Sequence, residues 1–143
     1  MEQNLMGKIV QTANIKNAGD LIKWRDGTLA TGEIRHVATT FLVDTGAAML
    51  CLTPDLIEQL GIREIGKRRA VTANGVVERG IFEPVQVEVF DRTAILEVME
   101  LPAGVPPLLG YLPLEALDLY PNPKKQCLEG NPQYDGKMIV DLL

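Results

Sequence analysis

The chain has 143 residues, 46% hydrophobic and 23% charged, with a formal net charge of −5. That is length for one packed domain (residues 1–143) rather than two, and it is too apolar a composition for a disordered chain. The acidic balance argues against nucleic acid as a partner, and no run is long and apolar enough to cross a bilayer.

Residues 1–8 lack the charged and apolar regions of a secretory leader, so a cytoplasmic location is the expectation, with no membrane partner. Residues 8–15 are β-prone and read as a first strand. Residues 17–32 are loop-like: Asn17, Gly19, Asp20, Asp26, Gly27 and Gly32 interrupt a short apolar piece at Leu21, Ile22 and Trp24. This stretch reads as a loop insertion, either a hairpin or a mobile loop, with Trp24 as its core plug. Residues 35–43 alternate, with Val37, Phe41 and Val43 on one face, and form a strand that runs into Asp44.

Asp44 follows the apolar run Phe41, Leu42, Val43 and is followed at once by Thr45 and Gly46. A carboxylate carried into the interior by such a strand needs hydrogen-bond partners or has a functional use. Residues 49–52 then read as a short buried strand. Thr53, Pro54 and Asp55 announce a helix through an N-cap, a proline in its first turn and an early acid, and Gly61 stops it. The basic cluster of Arg63, Lys67, Arg68 and Arg69 reads as the solvated face of a strand. Asn74-Gly75, between β-prone flanks, signals a hairpin whose type I′ turn places both residues at positive φ.

Val85, Val87 and Val89 alternate with polar residues, and residues 94–101 supply a strand to pair with them across Asp91 and Arg92. Residues 106–110 form an apolar strand ended by Gly110. Pro113 opens a short helix that Pro121 prevents from continuing. Short strands are expected at residues 126–128 and 138–142. The class is all-β with two short helices, and no tandem repeat is present. Cys51 and Cys127 form no Cys-x-x-Cys and only His36 could join them, so free thiols, no metal and no cofactor are expected. His36 reads as a strand-surface residue, with no acid or second histidine spaced to work with it.

The order of these parts carries a resemblance. Asp44-Thr45-Gly46-Ala47, the hairpin at Asn74-Gly75, the apolar strand Leu108-Leu109-Gly110 and the helix from Pro113 follow one another as in retroviral-type (retropepsin-like) aspartic proteases. The chain looks closest to small single-lobe bacterial-type members, and the resemblance covers residues 8–128. It implies a closed β-barrel with a β-hairpin flap, and an aspartic endopeptidase acting on extended peptide or protein substrates. Two carboxylates must share one proton for this chemistry, the ionised one activating water and the protonated one donating to the scissile carbonyl. One Asp-Thr-Gly per chain therefore implies a homodimer, with one Asp44 from each copy across a twofold axis.

By the same resemblance Asp44 is the catalytic residue, Thr45 braces the opposite loop, Gly46 clears space for substrate backbone, and Ala47 completes the loop. Ala47 offers no hydroxyl to the ionised carboxylate, which implies a working range nearer neutral pH. Ala48, the flap residues Ala73, Asn74, Gly75 and Val76, and Leu109 and Gly110 are the expected substrate-binding positions. Viral members carry an aspartate where this chain has Ala48, and other residues where it has Tyr111, Leu112 and Pro113; the flap is also poor in glycine, which implies a stiffer tip. Two other readings stand beside this one. Asp44 could serve an Asx-type turn ahead of Gly46, and the chain could be a non-catalytic dimerisation or peptide-binding module. The tail at residues 131–143 either covers the core or interleaves with a second copy.

Overall fold

Residues 8–142 are described by a computed structural model; residues 1–7, read above for a leader, and Leu143 lie outside the described residues. The alternating segments become the walls of a barrel. β1 (Val10–Asn17) pairs antiparallel with β2 (His36–Val43), opposing Ile15 to Val37. β3 (Leu50–Leu52) is buried throughout and lies antiparallel to β7 (Leu108–Leu109), which in turn runs parallel to β2. β5 (Gly75–Val89) and β6 (Arg92–Glu100) form a long antiparallel pair, and β6 runs parallel to β3. Antiparallel pairing of β1 with β5 closes the six-stranded ring β1-β2-β7-β3-β6-β5. β4 (Glu64–Thr72) extends β5 beyond the ring as the other arm of a hairpin. The fold is the expected all-β, single-lobe, retropepsin-like barrel.

The period of two in β5 points Val85, Val87 and Val89 inward, each at most 1% exposed, against Phe41, Leu50, Leu109 and Val98. Leu109 is wholly buried and Phe41 equally so, so the strand that carries Asp44 is anchored from inside. Truncating a buried aromatic of this kind costs about 3–5 kcal/mol. At the irregular step between Phe82 and Val85, Pro84 has no N–H to give to a ladder. There β5 passes from hairpin arm to barrel wall.

Among the described residues three short helices are present where two were expected. α2 (Pro54–Leu60) ends at Gly61, φ 65°, as its sequence predicts, although Thr53 makes no side-chain cap bond. α3 (Tyr111–Leu117) begins two residues before Pro113. The additional helix is α1 (Ala18–Arg25), inside the stretch read as a loop. Asn17 caps it by accepting from the Asp20 N–H at 3.0 Å, and donates its own amide to the Leu60 carbonyl at 2.8 Å. Asp20, 3% exposed, accepts from the Arg35 backbone N–H and from its guanidinium at 2.9 Å. The polar residues that looked like a loop, Asn17 and Asp20, are therefore the cap and the buried half of an ion pair with Arg35 that hold a helix down.

Trp24 is not a plug: it is 42% exposed and donates its indole N–H to the Thr31 hydroxyl at 2.8 Å, tying α1 to a 3-10 turn at Thr31–Glu33. His36 is exposed on β2.

The hairpin is present, with its tip one residue earlier than expected. Thr72 pairs with Gly75, so the turn residues are Ala73 and Asn74, and neither has positive φ; Gly75 has, at 114°. The Thr72 hydroxyl is the reason. It donates to the Gly75 carbonyl at 2.8 Å and accepts from the Asn74 N–H at 3.2 Å, which closes the turn around Ala73-Asn74 and excludes a type I′ geometry.

Beyond the barrel, β8 (Tyr120–Asn122) and β9 (Cys127–Glu129) form a separate pair. Residues 138–142 do not form the expected strand; they run as irregular chain after a 3-10 turn at Pro132–Tyr134. No backbone ladder reaches them, because the tail is held through the Asp118 side chain instead, which accepts from the Ile139 N–H at 2.9 Å.

Candidate active site

β2 delivers Asp44 to the mouth of the barrel. Its backbone N–H donates to the Leu109 carbonyl at 3.0 Å, so the residue is fixed to the strand beside it before its side chain does anything. One carboxylate oxygen accepts from the Gly46 N–H at 2.9 Å, and the Ala47 N–H closes the turn onto the Asp44 carbonyl at 3.1 Å. The other carboxylate oxygen has no hydrogen-bond partner among the described residues. Asp44 is half-buried, while Thr45 and Gly46 are exposed. Asp44 is therefore only partly enclosed, whereas Asp20 is deeply buried.

The loop after Asp44 is clamped by the start of α3. An α-helix leaves its first N–H groups without partners inside the helix. Here those of Gly110, Tyr111 and Leu112 donate to the carbonyls of Met49, Ala47 and Ala48 at 3.1, 2.9 and 2.9 Å. The helix start and the Asp44 loop satisfy each other. Gly110 is needed for this approach, because a β-carbon there would meet main-chain atoms of Ala47, Ala48 and Met49 at 2.6 to 2.7 Å.

Above the loop lies a groove of about 900 Å³, roofed by β4 and β5. Asp44, Gly46, Ala47 and Ala48 line its floor. Of the other expected positions, Ala73, Asn74, Gly75 and Val76 sit at the hairpin tip outside the groove lining, Leu109 is buried beneath the loop, and Gly110 packs on the loop backbone. The roof is instead formed by residues 68–72 with Arg79, and Met99 continues the floor. Sequence reading treated Arg68 and Arg69 only as a solvated face. Arg68, Ala70 and Thr72 share one side of β4, but Arg69 and Val71 of the other side line the groove as well, so alternation along the strand gives no signal for it.

Cys51 borders the groove and is no nucleophile. Burial, helped by the charge of Asp44, pushes its thiol up to about 11, and its sulfur donates to the Met49 carbonyl at 3.5 Å. Among the described residues no group of three His, Cys, Asp or Glu side chains is placed to hold a metal ion. Nor is any described helix long and apolar enough to cross a membrane.

Two depressions flank exposed Thr45. One, of about 470 Å³, is bordered by Tyr111, Leu114, Ile139 and Val140; the other, of about 410 Å³, by Ile9, Leu42 and Pro121. Val140 is 87% exposed. The tail reaches this place through Asp118, whose carboxyl is held below the usual range by the Ile139 N–H and the Tyr120 hydroxyl.

A family model described as gag-polyprotein putative aspartyl protease matches residues 30–115. That span is more than half of the chain and runs from the approach to β2 through the Asp44 loop and the hairpin into α3. No curated protein matches the chain.

Proposed function

From its membership of the gag-polyprotein aspartyl protease family, we propose that the chain is an aspartic endopeptidase that cleaves extended polypeptides and works as a homodimer. The observation that carries this reading is the half-satisfied carboxylate of Asp44. Gly46 holds one oxygen, the other has no hydrogen-bond partner among the described residues, and Asp44 lines the floor of the groove of about 900 Å³. In a dimer that free oxygen faces the Asp44 of a second copy. Two carboxylates so close cannot both ionise, so one proton is shared: the ionised group takes a proton from water as the water attacks, and the protonated group donates to the scissile carbonyl.

The surroundings of Thr45 support the twofold arrangement. Thr45 is exposed between two depressions edged by apolar side chains, where a second Thr45 loop can pack. Gly46, without a side chain, leaves the substrate backbone free to approach, and the β4–β5 hairpin lies where it can add a strand's worth of hydrogen bonds to the peptide. A cytoplasmic site of action belongs to the same reading.

Asp44→Asn tests it. Cleavage of a peptide library or an unfolded protein is expected to fall at least about 10³-fold, and activity per molecule of the native chain to fall on dilution as dimers dissociate. Cleavage unchanged in the variant would sink the enzyme reading. One observation favours the alternative of a non-catalytic peptide-binding or dimerisation module: the bond from Gly46 to Asp44 completes an Asx-type turn within a single chain. Peptide binding with no cleavage at any pH would favour that module.

A further inference from the structure

The cations of the hairpin differ in what they face. Arg63 is paired with Glu83 at 3.1 Å and Lys67 with Glu64 at 3.3 Å. Arg68 and Arg79 have no ion pair among the described residues, yet they stand directly opposite each other in the β4–β5 register. Both border the groove over Asp44, and Arg79 is half-buried there. Ala70 and Val77, the next residues of the same parity, are also half-buried, and Ala70 lines the groove beside the two arginines.

Like charges directly opposite on a sheet destabilise it. Here the repulsion is sharpened by partial burial of one guanidinium, and no acid among the described residues pairs with either arginine. Arg69, on the other parity, faces Glu78 in register and also touches the groove edge. The acids of the groove, Asp44 and Glu100, make no ion pair with any of these arginines. A carboxylate entering between Arg68 and Arg79 converts repulsion into charge-assisted, forked hydrogen bonds on both sides.

We propose that Arg68 and Arg79 form a subsite for the carboxylate of an aspartate or glutamate side chain of the bound peptide, so that the groove selects acidic sequences and the hairpin settles only when one is present. This rests on the peptidase reading for its substrate. The geometry that carries it, two unpaired arginines opposed over one groove, is separate from the chemistry of Asp44.

The test compares apolar-centred peptides that differ by Glu, Gln or phosphoserine at single positions around the cut. The native chain is expected to favour Glu over Gln by roughly tenfold or more in kcat/KM at one position, the scale of a hydrogen bond between charged groups. The preference should shrink with added salt. In the double variant Arg68→Gln, Arg79→Gln the ratio should fall to near one, with Tm unchanged or raised because the repulsion is gone. In Lys67→Gln, a control outside the subsite, the ratio should persist. Arg79→Glu should reverse the preference toward Lys. A native ratio near one overturns the subsite, and phosphoserine favoured with Glu no better than Gln overturns the carboxylate assignment. If no peptide is cleaved, the peptidase reading fails, and the subsite is then read by fluorescence anisotropy with labelled Glu and Gln peptides on Asp44→Asn. A Kd ratio of about ten that vanishes in the arginine variant supports it; equal Kd values, or no binding of either peptide, overturn it.

Discussion

Gly110 lies against the main chain of Ala48 so closely that a β-carbon would stand 2.6 Å from the Ala48 carbonyl carbon. The atoms in the way are backbone, clamped by the N–H groups of Tyr111 and Leu112, and they cannot move aside independently. Gly110→Ala is therefore expected to push the Asp44 loop outward, with a stability loss of about 1–3 kcal/mol, the scale of overpacking. Peptide cleavage should fall more steeply than stability, since the loop sets the position of Asp44. Urea unfolding and kcat/KM measured on one preparation check this, and a variant with native activity would show that the approach is not needed.

The bond of Asp20 to Arg35 makes stability depend on acid. Hydrogen bonds from the Arg35 guanidinium hold the Asp20 carboxyl below its usual value despite its burial. A carboxyl lowered in the folded chain stabilises above its unfolded value of about 3.9 and loses that contribution as pH falls through the lowered folded value. Arg35→Gln should flatten stability against pH in the window below about pH 4. At neutral pH the variant should cost about 1–2 kcal/mol, well under a fully buried pair because the Arg35 side chain is 49% exposed. Chemical denaturation at a series of pH values gives both quantities.

Asp118 holds the tail beside Thr45. It accepts from the Ile139 N–H at 2.9 Å and the Tyr120 hydroxyl at 2.8 Å, and its own backbone is left-handed, φ 53°. Asp118→Asn keeps a residue that tolerates this φ and weakens the charge-assisted bonds. Trypsin cleavage after the exposed Lys137 should then quicken by about tenfold, for a loss of about 1.4 kcal/mol in local closing. An unchanged rate would mean that Arg92, which donates to the carbonyls of Leu117, Asp118 and Gly136, holds the tail by itself.

Phe90 at the β5–β6 turn has φ 56° and is 58% exposed. A bulky residue in this region is strained and here gains little by burial. Phe90→Asn should raise stability by about 0.5–1 kcal/mol, read as a higher urea midpoint at constant slope. A drop would show that the ring packs on a surface worth more than the strain.

The parts of the fold read correctly from sequence are those set by near neighbours. Pro54 and Gly61 bracket α2, alternate valines face the core from β5, and the order of Asp44 loop, hairpin, Leu108-Leu109-Gly110 and helix places the loop where the structure has it. The misreadings share a different origin. α1 was hidden because Asn17 and Asp20 look like loop residues until Leu60 and Arg35 are brought to them. The Asn17 cap, Asp20 in the first turn and Lys23 and Arg25 in the last were the local signs of it.

By itself the sequence determined which chemistry is available. One Asp-Thr-Gly, an Asn-Gly pair and a glycine-ended apolar run are covalent facts of residue type and order, and they carry the resemblance to single-lobe aspartic proteases. Only the tertiary structure decided where that chemistry points. The part of β4 that roofs the groove, the tip at Ala73-Asn74, the closure of β1 on β5 and the seat of Gly110 on Ala48 all depend on register between segments far apart in the chain. A shift of one residue in register turns every side chain of a strand to the other face. Local preferences of a few tenths of a kcal/mol per residue do not choose between such registers; burial of Phe41, Val87 and Leu109 in one shared core does.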